Sequence, residues 1–159
     1  MLSSLCRRSF LQASSASVGA LSLRNNHNLS SVQGLGRLAR VDGVLLVEGA
    51  GPVTLHGMEP SNVGGVVLRN TQSLQMLDAL NSVLHLPLSL RVEGNAQLRA
   101  IGGLGAVLEI GGDLVVRGNK RLASLDEPAN VARVDGDITV RDNAVLLDLD
   151  ALASLQSYG

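Results

Sequence analysis

Aliphatic residues in this chain alternate with polar ones in short bursts, and the bursts restart every 21 to 24 residues. In the unit 113–136, Leu114 and Val116 alternate with outward neighbours, the period of a strand with one buried face. The same pair recurs as Leu21/Leu23, Leu45/Val47, Val66/Leu68, Leu90/Val92 and Ile138/Val140. Two further apolar columns follow, three residues apart. The first is Leu29, Val53, Leu74, Leu98, Leu122 and Leu146; the second is Val32, His56, Leu77, Ile101, Leu125 and Leu149. A last pair, such as Val83/Leu86 or Val131/Val134, closes the unit. Glycine then follows at Gly43, Gly64, Gly112 and Gly136, where the spacing predicts a corner that needs tolerance of positive φ.

Six such units cover residues 20–159. Strand segments of about five residues, broken by Gly or Asn every dozen, leave no room for a helix of useful length. One unit alone cannot bury its apolar columns; units stacked in register turn each column into a continuous buried file. The prediction is an all-β parallel solenoid of about six coils with a 21–24 residue period. With ~4.8 Å between coils its length is roughly 30 Å. Leu74, Leu98, Leu122 and Leu146 are the residues whose stacking that fold requires.

One polar column supports the register. The residue after each strand pair is Arg24, Glu48, Arg69, Glu93, Arg117 and Arg141, and the first five alternate in sign. In a parallel stack unlike charges become neighbours, each exposed pair contributing ~0.2–1 kcal/mol.

Composition narrows the function. At 159 residues and 45% hydrophobic the chain can bury one sizeable core. A net charge of −1 gives no basic excess for nucleic acid or anionic lipid. The only aromatic residues, Phe10 and Tyr158, lie near the ends, so the repeats hold no stacking platform for sugars or bases. The single cysteine, Cys6, precludes an intrachain disulfide, and no zinc or other metal or cofactor site is spelled out. His27, His56 and His85 are isolated; His56 reads as a displaced core position, with Leu55 beside it taking the buried role. No 18-residue apolar run suggests a transmembrane helix.

Two readings fit residues 1–19. Arg7-Arg8, Phe10, Leu11 and the serine-rich stretch before the first acid, Asp42, look like an export or transit peptide. Alternatively, Ser17-Val18-Gly19-Ala20 matches the corner before every strand, and Leu2-Ser3-Ser4-Leu5 matches Leu122-Ala123-Ser124-Leu125, making the segment a degenerate coil. At the other end, Tyr158-Gly159 stands where a next strand would start. Without polar caps, the stack is expected to pack end-on with further repeats or a partner.

The motif L-x-V-x-x-N-x-x-L-x-x-L, seen in SLRVEGNAQL, DLVVRGNKRL and DITVRDNAVL and followed by a Gly-Gly or Asp-Gly corner, resembles the receptor L domain, a leucine-rich-repeat-like family of animal receptors and fungal surface proteins. The resemblance implies a right-handed parallel β-helix with a non-catalytic recognition role at a cell surface or outside the cell. It also implies an asparagine ladder at Asn26, Asn95, Asn119 and Asn143, interrupted by Ala50 and Thr71. The cysteine-rich modules of the animal receptors are missing.

Three functions are therefore open. The first is a protein- or glycan-binding module rather than an enzyme. The second is a polysaccharide lyase or glycosidase, which needs carboxylates about 5–9 Å apart or a calcium cluster. Its candidates are the stacked pairs Asp113/Asp137 and Asp126/Asp150, for which turn capping and a solvated face are the simpler roles. The third is a truncated segment with no independent function.

Overall fold

The computed structural model describes residues 16–49, 54–78, 80–102, 105–125 and 130–158. Among the described residues, the strands β1(Ala16–Val18), β2(Leu21–Arg24), β3(Leu38–Glu48), β4(Asn62–Arg69), β5(His85–Leu86), β6(Leu90–Glu93), β7(Glu109–Ile110), β8(Leu114–Arg117), β9(Arg133–Val134), β10(Ile138–Arg141) and β11(Ser157–Tyr158) are joined by turns and short 3₁₀ segments such as Gln33–Leu35 and Asp150–Leu152. Every pairing between them is parallel. The fold is an all-β parallel solenoid of about five turns.

The main sheet stacks β2, β3, β4, β6, β8 and β10 in that order. Its register runs Leu21↔Leu45↔Val66↔Leu90↔Leu114↔Ile138, and one residue pair further, Leu23↔Val47↔Leu68↔Val92↔Val116↔Val140. Alternation puts these two columns inside: Leu45, Val47, Val66, Leu68 and Val92 are fully buried. A second sheet, β5–β7–β9–β11, runs along the corner with Leu86, Ile110 and Val134 facing in. In the earlier coils β3 and β4 are longer and belong wholly to the main sheet, which β1 joins by pairing with the Leu38–Val41 part of β3. A third side is marked by the parallel bridges Thr54↔Met76↔Ala100.

Leu74, Leu98 and Leu122 are fully buried in one file, and Leu146 packs against the same core from the last described coil. Val53 lies outside the described residues. In the next column Leu77, Ile101 and Leu125 are buried, while Leu149 is 46% exposed because no further described coil covers it. In the short second unit Leu55 is fully buried and His56 points to solvent. No helix among the described residues is long and apolar enough to cross a membrane.

The corner glycines differ from expectation. Gly43, Gly64, Gly112 and Gly136 do not adopt positive φ. What they need is room. A Cβ on Gly43 would sit 2.6 Å from the Gly19 carbonyl oxygen of the coil before, and one on Gly64 would sit 2.6 Å from the Gly43 oxygen. Backbones from successive coils approach so closely here that any side chain would push them apart.

Candidate recognition groove

The left-handed turn comes instead at the other end of each main strand. Asn25 (φ 53°), Gly49 (φ 80°), Asn70 (φ 52°), Gly94 (φ 63°), Gly118 (φ 67°) and Asp142 (φ 58°) all occupy one column. Only Gly, Asn and Asp enter this region at small cost, and only those three types stand in the column. Their amides extend the ladder one step past the strand: Asn25, Gly49, Asn70, Gly94 and Gly118 each donate to the carbonyl of the charged residue one coil on, at 2.9–3.2 Å.

The residue after this turn points inward. The Asn95 carboxamide is fully buried; its Oδ1 accepts from the Thr71 amide at 3.1 Å and the Thr71 hydroxyl at 2.8 Å. Its Nδ2 donates to the Leu68 carbonyl at 3.0 Å and to Asn119 Oδ1 at 3.1 Å. Asn119, also fully buried, repeats the arrangement with the Val92 carbonyl and Asn143 Oδ1, and Asn143 donates to the Val116 carbonyl. Backbone amides of Asn95 and Asn119 donate to the next Oδ1 at 3.0 Å. Thr71, expected to interrupt the ladder, is its first rung, because a hydroxyl can fill the donor role toward Asn95. Asn26 is exposed and makes no side-chain bond to the ladder, and Ala50 lies outside the described residues.

The residue before the turn points outward, which brings the charged column to the surface. Glu48 is held between two arginines, by Arg24 Nε at 3.2 Å and Arg69 Nη2 at 2.9 Å. Arg117 grips Glu93 with Nε at 2.8 Å and Nη2 at 2.5 Å. Arg69 lies in register with Glu93 but turns to Glu48, leaving its buried Nε without a partner. The last step is different. Arg141 stands in register beside Arg117, so two cations adjoin, and its acid contact is Asp142 at 3.4 Å. Along this edge runs a polar groove of about 550 Å³, lined by the column from Glu48 to Arg141 and by Asn70, Gly94, Gly118 and Asp142.

The carboxylates considered for catalysis are placed differently. Asp113 Oδ2 pairs with Arg91 at 2.5 Å, while its Oδ1 accepts from the Asp137 amide at 3.3 Å. Asp113 thus straps one coil to the next, with Asp137 exposed beside it. Asp150 is exposed at the start of a 3₁₀ turn, and its stacking partner Asp126 lies outside the described residues, as do Cys6 and Phe10. Among the described residues no three His, Cys, Asp or Glu side chains converge so as to hold a metal ion. Two smaller depressions lie elsewhere on the described surface: about 140 Å³ beside Arg40, Asn62 and His85, and about 250 Å³ over Leu146, Leu147 and Leu149.

No protein-family model matches this sequence, and no curated protein or solved structure is significantly similar to it.

Proposed function

We propose that the protein is a non-catalytic recognition module and that the charged groove is its binding surface. The observation that carries this reading is the groove itself: outward charges from successive coils, each set on a hydrogen-bonded rung, present a fixed linear pattern over about 550 Å³. Rigid placement lowers the ordering cost of binding, so even plain charges can discriminate among partners. The carboxylates along the groove are engaged with arginines, and Asp113 serves as a strap, which favours recognition over acid–base chemistry. The resemblance to the receptor L domain points the same way and suggests work at a cell surface or outside the cell.

The test is a binding screen on peptide and glycan arrays, run for the wild type and for Glu93→Arg, alongside turnover assays on acidic polysaccharides. Glu93 is partly exposed, so the substitution should leave the fold intact. Ligands retained by the wild type and lost by the variant support the reading. Polysaccharide cleavage that disappears in Asp113→Asn would overturn it in favour of an enzyme.

A further inference from the structure

The charge column alternates through Arg24, Glu48, Arg69, Glu93 and Arg117 and then breaks at Arg141. Like charges directly opposite on neighbouring strands repel. An acid at 141 would complete the alternation and pair with Arg117; the arginine instead makes a step with two cations side by side on the groove, Arg117 held from one side by Glu93 and the Arg141 side chain paired, among the described residues, only with its chain neighbour Asp142 at 3.4 Å. Resting on the recognition reading above, we propose that this step seats an acidic side chain of an extended peptide running along the solenoid axis, with a base two residues on and a second acid four residues on.

The spacing comes from comparing two repeats. Coils are ~4.8 Å apart, so from the midpoint between Arg117 and Arg141 it is ~7 Å to Glu93 and ~12 Å to Arg69. An extended peptide advances ~3.3 Å per residue, which puts side chains of one face ~7 Å and ~13 Å from the first. Acid, base and acid at positions i, i+2 and i+4 therefore fall opposite the cation pair, Glu93 and Arg69 in turn. Strand alternation turns the intervening residues away, so their identity matters little. A peptide fits this surface better than an acidic glycan, because the groove lining contains no aromatic face on which a sugar ring could stack.

The experiment is fluorescence anisotropy with labelled peptides in a Gly/Ser background. One carries Glu-Ser-Lys-Ser-Glu, one the inverse Lys-Ser-Glu-Ser-Lys, and one the same charges as the first in the order Glu-Glu-Lys-Ser-Ser. The first should bind at least about tenfold more tightly than the others. Arg141→Gln should weaken that binding and Arg141→Glu should abolish it, while the melting temperature of Arg141→Glu stays at or above that of the wild type. Arg24→Glu, outside the groove, should bind normally. Equal affinity for the three peptides, undiminished binding by Arg141→Glu, or tighter competition from an acidic oligosaccharide of equal charge would each overturn the proposal. If these peptides fail while some array ligand is lost in Glu93→Arg, the recognition function stands without this ligand. If no ligand depends on the groove, both fall.

Discussion

Replacing Asn119 by alanine removes the middle rung of the buried amide ladder. Four hydrogen bonds of its side chain disappear: two accepted from Asn95, one donated to the Val92 carbonyl and one donated to Asn143. The groups left behind have nowhere to turn. The Asn95 amide and carboxamide are sealed from solvent, and Val92 is fully buried. Leaving a buried donor or acceptor unpaired costs ~1–3 kcal/mol, and some relaxation is available, so the expected loss is about 3–5 kcal/mol. Against a typical net stability of ~5–15 kcal/mol that is severe. Urea titration followed by circular dichroism reads it as a lower midpoint. Because each coil touches only its neighbours, hydrogen exchange should rise first at Asn95, Asn119 and the amides around them. Asn26→Ala is the matched control: the same residue type in the same column, exposed and without ladder bonds, with an expected change within ~0.5 kcal/mol. An Asn119→Ala variant within 1 kcal/mol of the wild type, or an Asn26→Ala variant equally damaged, would refute the idea that the ladder fixes the corner.

Gly64→Ala should destabilise by ~2 kcal/mol or more, since its Cβ meets backbone atoms of Asp42 and Gly43, whereas Gly19→Ala, with nothing within 4 Å, should be tolerated; thermal melts of the two variants decide it. Leu98→Ala, deep in the central leucine file, should cost about 3–4 kcal/mol in chemical denaturation. A double-mutant cycle on Arg117 and Glu93 should give a coupling of only ~0.2–1 kcal/mol, shrinking as salt approaches ~1 M.

The apolar columns were legible because stacking imposes the same demand on every coil. A residue that must be buried at Leu74 must also be buried at Leu98 and Leu122, so the period shows directly in the sequence. The charged column was legible for the related reason that parallel register sets equivalent residues side by side. Glycine was harder. The letters at Gly43 and Gly94 are the same, yet Gly43 answers to the approach of another coil and Gly94 to its own backbone torsion. Only the distance between coils separates these causes, and a sequence does not carry it. The signal for the turn was nonetheless present, since Asn25, Gly49, Asn70, Gly94, Gly118 and Asp142 draw on three residue types only. Thr71 is hidden in the sequence because the other rungs are amides, although all its side chain must supply there is a single donated hydrogen bond to Asn95.

Surface and interior meet in three consecutive residues of each coil. In Arg117-Gly118-Asn119 the first side chain faces the groove, the second residue turns the chain, and the third locks into the ladder. The asparagine is tied to its neighbours by several buried hydrogen bonds, and the turn residue by its torsion, so neither can change freely. The charged residue is bound only by partly exposed ion pairs of about 1 kcal/mol or less, so stability dictates its identity far less. The ladder therefore fixes where each outward charge stands while leaving its sign open. A surface of this kind can be re-specified without disturbing the fold that presents it. Among its positions, Arg141 is where the sign departs from what coil-to-coil pairing alone would choose.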